Sequence, residues 1–181
     1  MNLIEETLES KPIYNGKILK LRVDKVRLPD GGTSTREIVE HNGAVAMVAL
    51  DSENNIVLVR QYRKALGKVT LEIPAGTLED NEDPLDCAKR ELREEGKKEA
   101  VHWEKILDYY SAPGFCNEQL HLYLAHGLSE CSGDTDEDEF LETVVLSLQE
   151  AYRYIFEGKI IDGKSIIGIQ YAFHKLIGGS F

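Results

Sequence analysis

The sequence predicts an α+β fold, because a series of strand-like segments precedes segments with helical periodicity. Between residues 16 and 73, Val, Ile, Leu and Tyr recur in short bursts separated by turn formers such as Pro29-Asp30-Gly31-Gly32, a pattern typical of β-strands. Residues 82–95 then change to helical spacing, with apolar residues on one stripe and mostly charged residues around the rest. We therefore expect a sheet that is followed along the chain by an amphipathic helix.

The two most apolar segments, residues 44–50 and 56–59, are too short to cross a membrane and are rich in β-branched residues. They are predicted to be buried central strands. The remaining elements are expected to be three strands and then two helices: 106–110, 120–125, 143–146, 148–157 and 164–177.

The composition indicates one compact domain, or one domain with a small appendage. The chain has 181 residues, of which 42% are hydrophobic, enough for a core and too many for a disordered chain. Its 21 Lys and Arg residues stand against 32 Asp and Glu residues, so the net charge is −11. No nucleic-acid partner is expected, because binding a phosphate backbone requires a concentrated basic surface.

The cysteines and the N-terminus predict a cytoplasmic protein. Cys87, Cys116 and Cys131 are odd in number and include no C-x-x-C pair, so neither a disulfide framework nor a zinc site is expected. The N-terminal residues are rich in glutamate and lack the basic start and apolar stretch of a signal peptide. No run of about 18 apolar residues is present, so no membrane partner is expected.

Three carboxylates crowd one face of the predicted helix. Glu91, Glu94 and Glu95 stand at i, i+3 and i+4, where like charges repel and, near a helix C-terminus, also oppose the helix dipole. A divalent cation would relieve both effects, and hard oxygen ligands are those that Mg²⁺ or Mn²⁺ prefer. Helical spacing alone leaves a solvated acidic face as an equally good interpretation.

A longer pattern surrounds these glutamates: Gly76, then Glu82, Arg90-Glu91-Leu92 and Glu94-Glu95. This pattern resembles the Nudix box, the loop-helix-loop signature of hydrolases that act on nucleoside diphosphates linked to another moiety. The match departs at its end, where the family usually has Gly one position beyond Gly96 and this chain has Lys97.

The resemblance implies a role for each residue of the box. Glu91 and Glu95 resemble the main metal ligands, with Glu94 contributing directly or through water, and Ala75 resembles the residue whose backbone carbonyl completes the metal shell. Three further positions are interpreted as structural. Glu82 and Arg90 form an ion pair that orients the carboxylates, and Gly76 allows a tight loop next to the metal.

Segments outside the box resemble ADP-ribose pyrophosphatases, namely residues 36–41, 59–63, 71–76 and Pro113-Gly114-Phe115. Members of this subfamily have an N-terminal β-strand domain that takes part in dimerisation, followed by the α/β/α Nudix sandwich with a mixed sheet. The resemblance therefore implies a dimerisation domain at residues 1–41, a Nudix domain at 42–181, and a homodimer. Asn42 and Ala112 depart from the subfamily, where many members have Pro and Ser.

Three residues outside the box are similar to substrate-binding residues of the subfamily. Arg63 resembles the arginine that contacts the pyrophosphate, Arg36 one that reaches across from the partner subunit, and Glu118 the residue that holds the terminal ribose hydroxyls. Each arginine could instead be a sheet-surface charge paired with a nearby glutamate.

The acidic run at residues 134–139 starts like an EF-hand loop but lacks the glycine and the final glutamate of that motif. A solvated charge run is the ordinary interpretation. In the family, a loop of this region supplies a glutamate as general base. Glu137 is predicted to be this base and Glu139 an auxiliary metal contact, with Asp136 and Asp138 as competitors.

The resemblance thus implies metal-assisted hydrolysis of the pyrophosphate bond of ADP-ribose to AMP and ribose 5-phosphate, with more than one Mg²⁺ or Mn²⁺ ion. The alternatives are another nucleoside diphosphate substrate, such as a nucleotide sugar, a dinucleoside polyphosphate or a reduced dinucleotide, and a sensor that binds ADP-ribose without cleaving it. The intact glutamate set disfavours the sensor.

The end of the predicted helix allows two conformations. Glycine adopts a positive φ without penalty and often ends a helix, so we expect Gly96 to be the left-handed residue. The alternative keeps the family's helix length and places Lys97 in the left-handed region, at a cost of about 1–2 kcal/mol.

Overall fold

The computed structural model describes residues 2–132 and 140–176, which form ten strands and three helices. The strands are β1 (Glu6–Asn15), β2 (Leu19–Arg27), β3 (Thr33–His41), β4 (Ala44–Leu50), β5 (Asn55–Arg63), β6 (Lys68–Glu72), β7 (Ala75–Thr77), β8 (Lys98–Tyr110), β9 (Gln119–Glu130) and β10 (Leu141–Ser147). The helices are α1 (Pro84–Glu94), α2 (Leu148–Phe156) and α3 (Gly163–Leu176). Two compact units divide the chain: Met1–Gly43 with Tyr109–Gln119, and Ala44–Asp108 with Leu120–Phe181.

The first unit is built on an antiparallel sheet with the strand order β1-β2-β3. Its second segment is attached to β3 through backbone hydrogen bonds. The N–H of Val39 donates to the carbonyl of Phe115 at 2.8 Å, and the N–H of Asn117 donates to the carbonyl of Val39 at 3.1 Å. The turn between β8 and β9 therefore belongs to the same unit as the N-terminal strands.

The second unit is built on a mixed sheet with the order β10-β5-β4-β9-β8. Strands β4 and β9 run parallel, whereas β6 pairs antiparallel with β5 and β7 pairs antiparallel with β4. Strand β7 directly precedes the loop to α1, so its pairing with β4 fixes the start of that loop to the centre of the sheet.

Helices cover both faces of β4, which is why every residue of this strand is buried. Side chains alternate between the two faces of a strand. On one face, Met47 packs in a core cluster with Ala88 and Leu92 of α1. On the other face, Val48 meets α3 so closely that a Cβ added at Gly168 would lie 2.7 Å from its Cγ2 atom. The layers are therefore helix, sheet, helix.

The predicted fold class is confirmed: a mixed sheet between helices follows a small antiparallel sheet. All three predicted helices are present, and within the described residues none is long and apolar enough to cross a membrane. The strand prediction is incomplete, because β1 begins at Glu6 and β8 at Lys98, well before the expected starts. Strand β1 is exposed along its whole length, so burial imposes no apolar pattern on its sequence.

Candidate active site

Helix α1 carries the predicted metal ligands, and its N-terminus is set by a cap. The side chain of Asp83 accepts hydrogen bonds from the backbone N–H groups of Leu85 and Asp86 at 2.9 and 3.3 Å. Pro84 occupies the first helical turn, where its missing N–H costs nothing. The cap fixes where the helix starts, and thereby which helical face carries Glu91, Glu94 and Glu95.

Two of these glutamates are buried against β7, the short strand that precedes the loop to the helix. Glu91 lies so close to Gly76 that a Cβ added there would be 1.9 Å from the Glu91 carboxyl carbon. Glu95 accepts a hydrogen bond at Oε2 from the backbone N–H of Ala75 at 2.8 Å. Only 9% of Glu91 and 3% of Glu95 is exposed. The backbone of residues 75–76 and the two carboxylates therefore lie together, and their role as a metal shell stays a prediction.

Arg90 connects the remaining carboxylates of the box. Its Nε and Nη2 donate to the two carboxylate oxygens of Glu82, both at 3.1 Å, which is the ion pair that the sequence predicts. Its Nη1 donates to Glu91 at 2.7 Å and to Glu94 at 3.0 Å. The hydrogen bonds from Arg90 lower the pKa of Glu82 to about 2, so this carboxylate is charged over the whole physiological range.

The donor set of this cluster fits a hard divalent cation, because it consists of carboxylate and backbone oxygens. As the side chains lie, however, no group of three His, Cys, Asp or Glu residues within 2–132 and 140–176 is arranged to hold an ion. Arg90 bridges Glu91 and Glu94, while an oxygen of Glu95 is turned to the N–H of Ala75. Side-chain rotation on a fixed backbone would be needed to aim these oxygens at one ion.

The predicted conformation at the end of α1 is wrong. Lys97 has a φ of +53°, whereas Gly96 is not among the residues with positive φ. Glu95 is the C-terminal cap, and its N–H still donates to the carbonyl of Glu91 at 2.8 Å. The physical reason for glycine at 96 is space, because an added Cβ would lie 2.7 Å from the carbonyl oxygen of Leu92. The chain thus keeps the helix length that the Nudix box implies.

Arg63 ends β5 and forms a two-pronged ion pair with Glu72, the last residue of β6. Arg63 Nε donates to Oε1 at 2.9 Å and Nη2 donates to Oε2 at 2.8 Å. Burial would raise the pKa of Glu72, but the hydrogen bonds from Arg63 and the positive charge of Lys164 lower it to about 2. The hydrogen bonds to Glu72 are the main cause that raises the pKa of Arg63, and the charge of Glu95 adds a smaller contribution, so this guanidinium lies within electrostatic range of the carboxylate helix.

Two predicted substrate residues lie in the first unit. Arg36 is held by the carboxylate of Glu5 through Nε at 2.9 Å and through Nη2, and Nη1 donates to Ser34 at 3.0 Å. Glu118 lies 3.8 Å from Nδ1 of His41. The predicted alternative for both arginines, pairing with a nearby glutamate, describes their contacts in this structure, and it leaves their proposed roles untested.

The predicted base Glu137, its competitors Asp136 and Asp138, and the auxiliary ligand Glu139 lie outside the described residues. Sequence reasoning missed the buried ion pair between Glu72 and Lys164, whose side chains meet in the second unit. The available signal was Glu72 itself, a charged residue directly before the segment Ile73-Pro74-Ala75 that leads into the box.

Comparison with known proteins agrees with this geometry. Residues 40–166 match the family model described as the NUDIX domain, and residues 5–39 match the nucleoside diphosphate sugar hydrolase N-terminal domain. A methanol dehydrogenase activator from Bacillus methanolicus is 49% identical, over 92% of this chain and 91% of the relative. An ADP-ribose pyrophosphatase from Bacillus subtilis (strain 168) is 42% identical, over 94% of this chain and 93% of the relative.

A solved structure, described as the crystal structure of an ADP compounds hydrolase, superimposes with a TM-score of 0.86. It covers 98% of this chain and 97% of its own chain at 18% sequence identity, so it shows the fold. The family match spans most of the chain and includes the loop and helix that hold the glutamates. From the box residues, their burial and these matches together, the chain belongs to the Nudix hydrolase family.

Proposed function

We propose that the protein hydrolyses the pyrophosphate bond of ADP-ribose to AMP and ribose 5-phosphate in a reaction that depends on divalent metal. The observation that carries the proposal is the 42% identity, over 94% of the chain, to a relative named ADP-ribose pyrophosphatase. The geometry supports it, because Glu91 and Glu95 are buried beside β7 at Ala75 and Gly76, where a phosphate-bound metal would find oxygen ligands.

The metal is held, in this proposal, by Glu91, Glu95, the carbonyl of Ala75 and Glu94, with Glu139 as a further contact. When bound, Mg²⁺ or Mn²⁺ supplies positive charge that binds the phosphate oxygens and stabilises the charge that develops on the leaving phosphate. The ion pair between Arg90 and Glu82 restrains the guanidinium that touches Glu91 and Glu94. That restraint orients the carboxylates without placing Arg90 among the ligands.

In this proposal, side chains from strands and from a loop position the substrate. Arg63 binds the pyrophosphate, Glu118 holds the terminal ribose hydroxyls, and Arg36 contributes from the partner subunit of a homodimer. Glu137 takes the proton from the attacking water. Residues 1–41 form the dimerisation domain and residues 42–181 the Nudix domain, and the protein acts in the cytoplasm.

The strongest rival is hydrolysis of a nucleotide sugar, favoured by the match of residues 5–39 to the nucleoside diphosphate sugar hydrolase N-terminal domain. Both substrates offer a diphosphate to the same metal and to Arg63, so they differ in the sugar beyond the diphosphate and, for many nucleotide sugars, in the base. A sensor that does not cleave ADP-ribose is the remaining alternative.

The test is turnover of ADP-ribose at saturating Mg²⁺, compared with a nucleotide sugar, a dinucleoside polyphosphate and a reduced dinucleotide. We expect the highest kcat/KM for ADP-ribose, release of AMP and ribose 5-phosphate in equal amounts, and loss of turnover on chelation that added Mg²⁺ restores. Higher kcat/KM for another member of the panel would reassign the substrate, and tight binding without turnover would establish the sensor.

A further inference from the structure

The buried carboxylate of Glu72 is shared by two cations from different parts of the second unit. Arg63 approaches it from the end of β5, and Lys164 approaches it from the first turn of α3. The hydroxyl of Thr70 donates to Oε1 at 2.5 Å, while Nζ of Lys164 donates to Oε2. Only 3% of the Glu72 side chain is exposed.

These contacts fix the plane of the carboxylate, because Thr70 and Lys164 each hold a different oxygen. The fixed plane in turn orients the guanidinium of Arg63, since a two-pronged pair is favourable only when the two groups are nearly coplanar. A guanidinium has five N–H donors, and Glu72 takes one from Nε and one from Nη2. Within residues 2–132 and 140–176, Nη1 of Arg63 donates to no side chain, and 38% of the Arg63 side chain is exposed.

Lys164 is itself held in place by the start of α3. Oδ2 of Asp162 accepts from Nζ of Lys164 at 3.0 Å and from the backbone N–H of Ser165 at 3.1 Å. The hydroxyl of Ser165, which is fully buried, accepts from the N–H of Ile73 at 2.8 Å. The first turn of α3 is therefore tied to the residue that follows Glu72, and it presents Lys164 to the carboxylate from a fixed backbone.

We propose that Lys164 is a positioning residue, which acts through Glu72 to hold the free edge of Arg63 toward the diphosphate of the substrate. The proposal rests on the role of Arg63 in the proposed function. Lys164 does not touch the substrate in this account. Without Lys164, only Oε1 of Glu72 would be held independently of Arg63, by Thr70. The carboxylate could then rotate about that contact, so that Arg63 would spend less time in the orientation that binds a phosphate.

The competing explanation is that Lys164 merely balances the charge of a buried carboxylate and so supports the fold. Steady-state kinetics of Lys164→Met, alone and combined with Arg63→Gln, separates the two. Methionine is unbranched and keeps most of the length of the side chain, and it removes the charge. A positioning residue loses its effect once Arg63 is gone, whereas a residue that only supports the fold contributes in both backgrounds.

We expect Lys164→Met to raise KM about 5- to 10-fold with kcat within about twofold of wild type, because binding shared by ground and transition state is lost. Arg63→Gln should raise KM by about tenfold or more, and adding Lys164→Met should raise it no further. Lys164→Arg, which can still donate to Glu72, should recover most of the loss. Lys175→Met, which breaks an ion pair with Glu104 elsewhere in the unit, is the matched control and should leave KM unchanged.

Equal effects of Lys164→Met in both backgrounds, or a fall in kcat together with a lower melting temperature and no change in KM, would overturn the proposal. An unchanged KM in Arg63→Gln would overturn it as well, while leaving ADP-ribose hydrolysis intact. If wild-type protein prefers another member of the substrate panel, the substrate assignment fails, and the same comparison with the preferred diphosphate still decides the role of Lys164.

Discussion

Substitutions at the exit of α1 should change stability in opposite directions at adjacent positions. A Cβ at Gly96 would lie 2.7 Å from the carbonyl oxygen of Leu92 and 2.8 Å from its Cδ1 atom. The first of these atoms is backbone, so Gly96→Ala must displace the last turn of the helix, and overpacking of this kind costs about 1–3 kcal/mol. Lys97→Gly should relieve the strain of the left-handed conformation, which adds about 1–2 kcal/mol to the free energy of unfolding. The greater freedom of glycine in the unfolded chain subtracts about 0.5–1 kcal/mol from that gain.

Urea and thermal unfolding followed by circular dichroism measure both changes. For a chain of this size about 1 kcal/mol corresponds to about 2–4 °C in Tm, so Gly96→Ala should melt several degrees below wild type and Lys97→Gly slightly above it. Lys97→Ala keeps the left-handed conformation and removes only the charged side chain. It therefore separates the effect of losing the charge from the effect of relieving the backbone. A wild-type Tm for Gly96→Ala, or a lower one for Lys97→Gly, would refute this account of how the helix ends.

Four further outcomes are expected. Glu95→Gln keeps an oxygen that can accept from Ala75 N–H, so it should fold normally and still lose activity by orders of magnitude; near wild-type turnover at saturating Mg²⁺ would contradict the ligand role. Glu137→Gln should lower kcat by about 10² to 10⁴-fold with little change in affinity, and a larger defect in Glu139→Gln would move the base by two residues. Glu72 has a pKa of about 2 instead of the ordinary 4.5, so its charge stabilises the fold fully above pH 4.5 and this stabilisation is lost as the pH falls toward about 2. The difference in Tm between wild type and Glu72→Gln should therefore shrink between pH 4.5 and about 2. A difference in Tm that stays constant would argue against the lowered pKa. Light scattering at micromolar concentration should give twice the chain mass of 20.4 kDa, and a fully active monomer would exclude the homodimer.

The elements that sequence predicts best are those whose burial leaves a pattern. Strand β4 is apolar at every position because helices cover both of its faces, and α1 has a cap and one apolar stripe. Strand β1 is exposed throughout, so nothing in its composition distinguishes it from a loop. The apolar pattern of a sequence predicts which residues are buried. An exposed strand such as β1 is specified by its backbone hydrogen bonds to the neighbouring strand instead.

In the candidate site, too, some contacts follow from the sequence and others do not. Motif spacing places Glu91 next to Gly76 and Glu95 next to Ala75, because β7 and α1 are close together in the sequence. Lys164 and Glu72 are 92 residues apart, and only the packing of α3 on the sheet brings them together. At position 96, the glycine indicates that the backbone is under a special constraint, but the sequence does not show which one. Glycine is favoured equally by a positive φ and by a close backbone contact.

The contact between Gly76 and Glu91 also limits how this active site can change. Any side chain at 76 would occupy the space of the Glu91 carboxyl group, since even a methyl carbon would lie 1.9 Å from it. Variation at the two positions is therefore coupled: a larger residue at 76 is compatible with the fold only if Glu91 becomes smaller or moves away. One substitution at position 76 in β7 can thus displace a proposed metal ligand on the helix without altering the helix itself, which is a short mutational route from an enzyme to a protein that only binds its nucleotide.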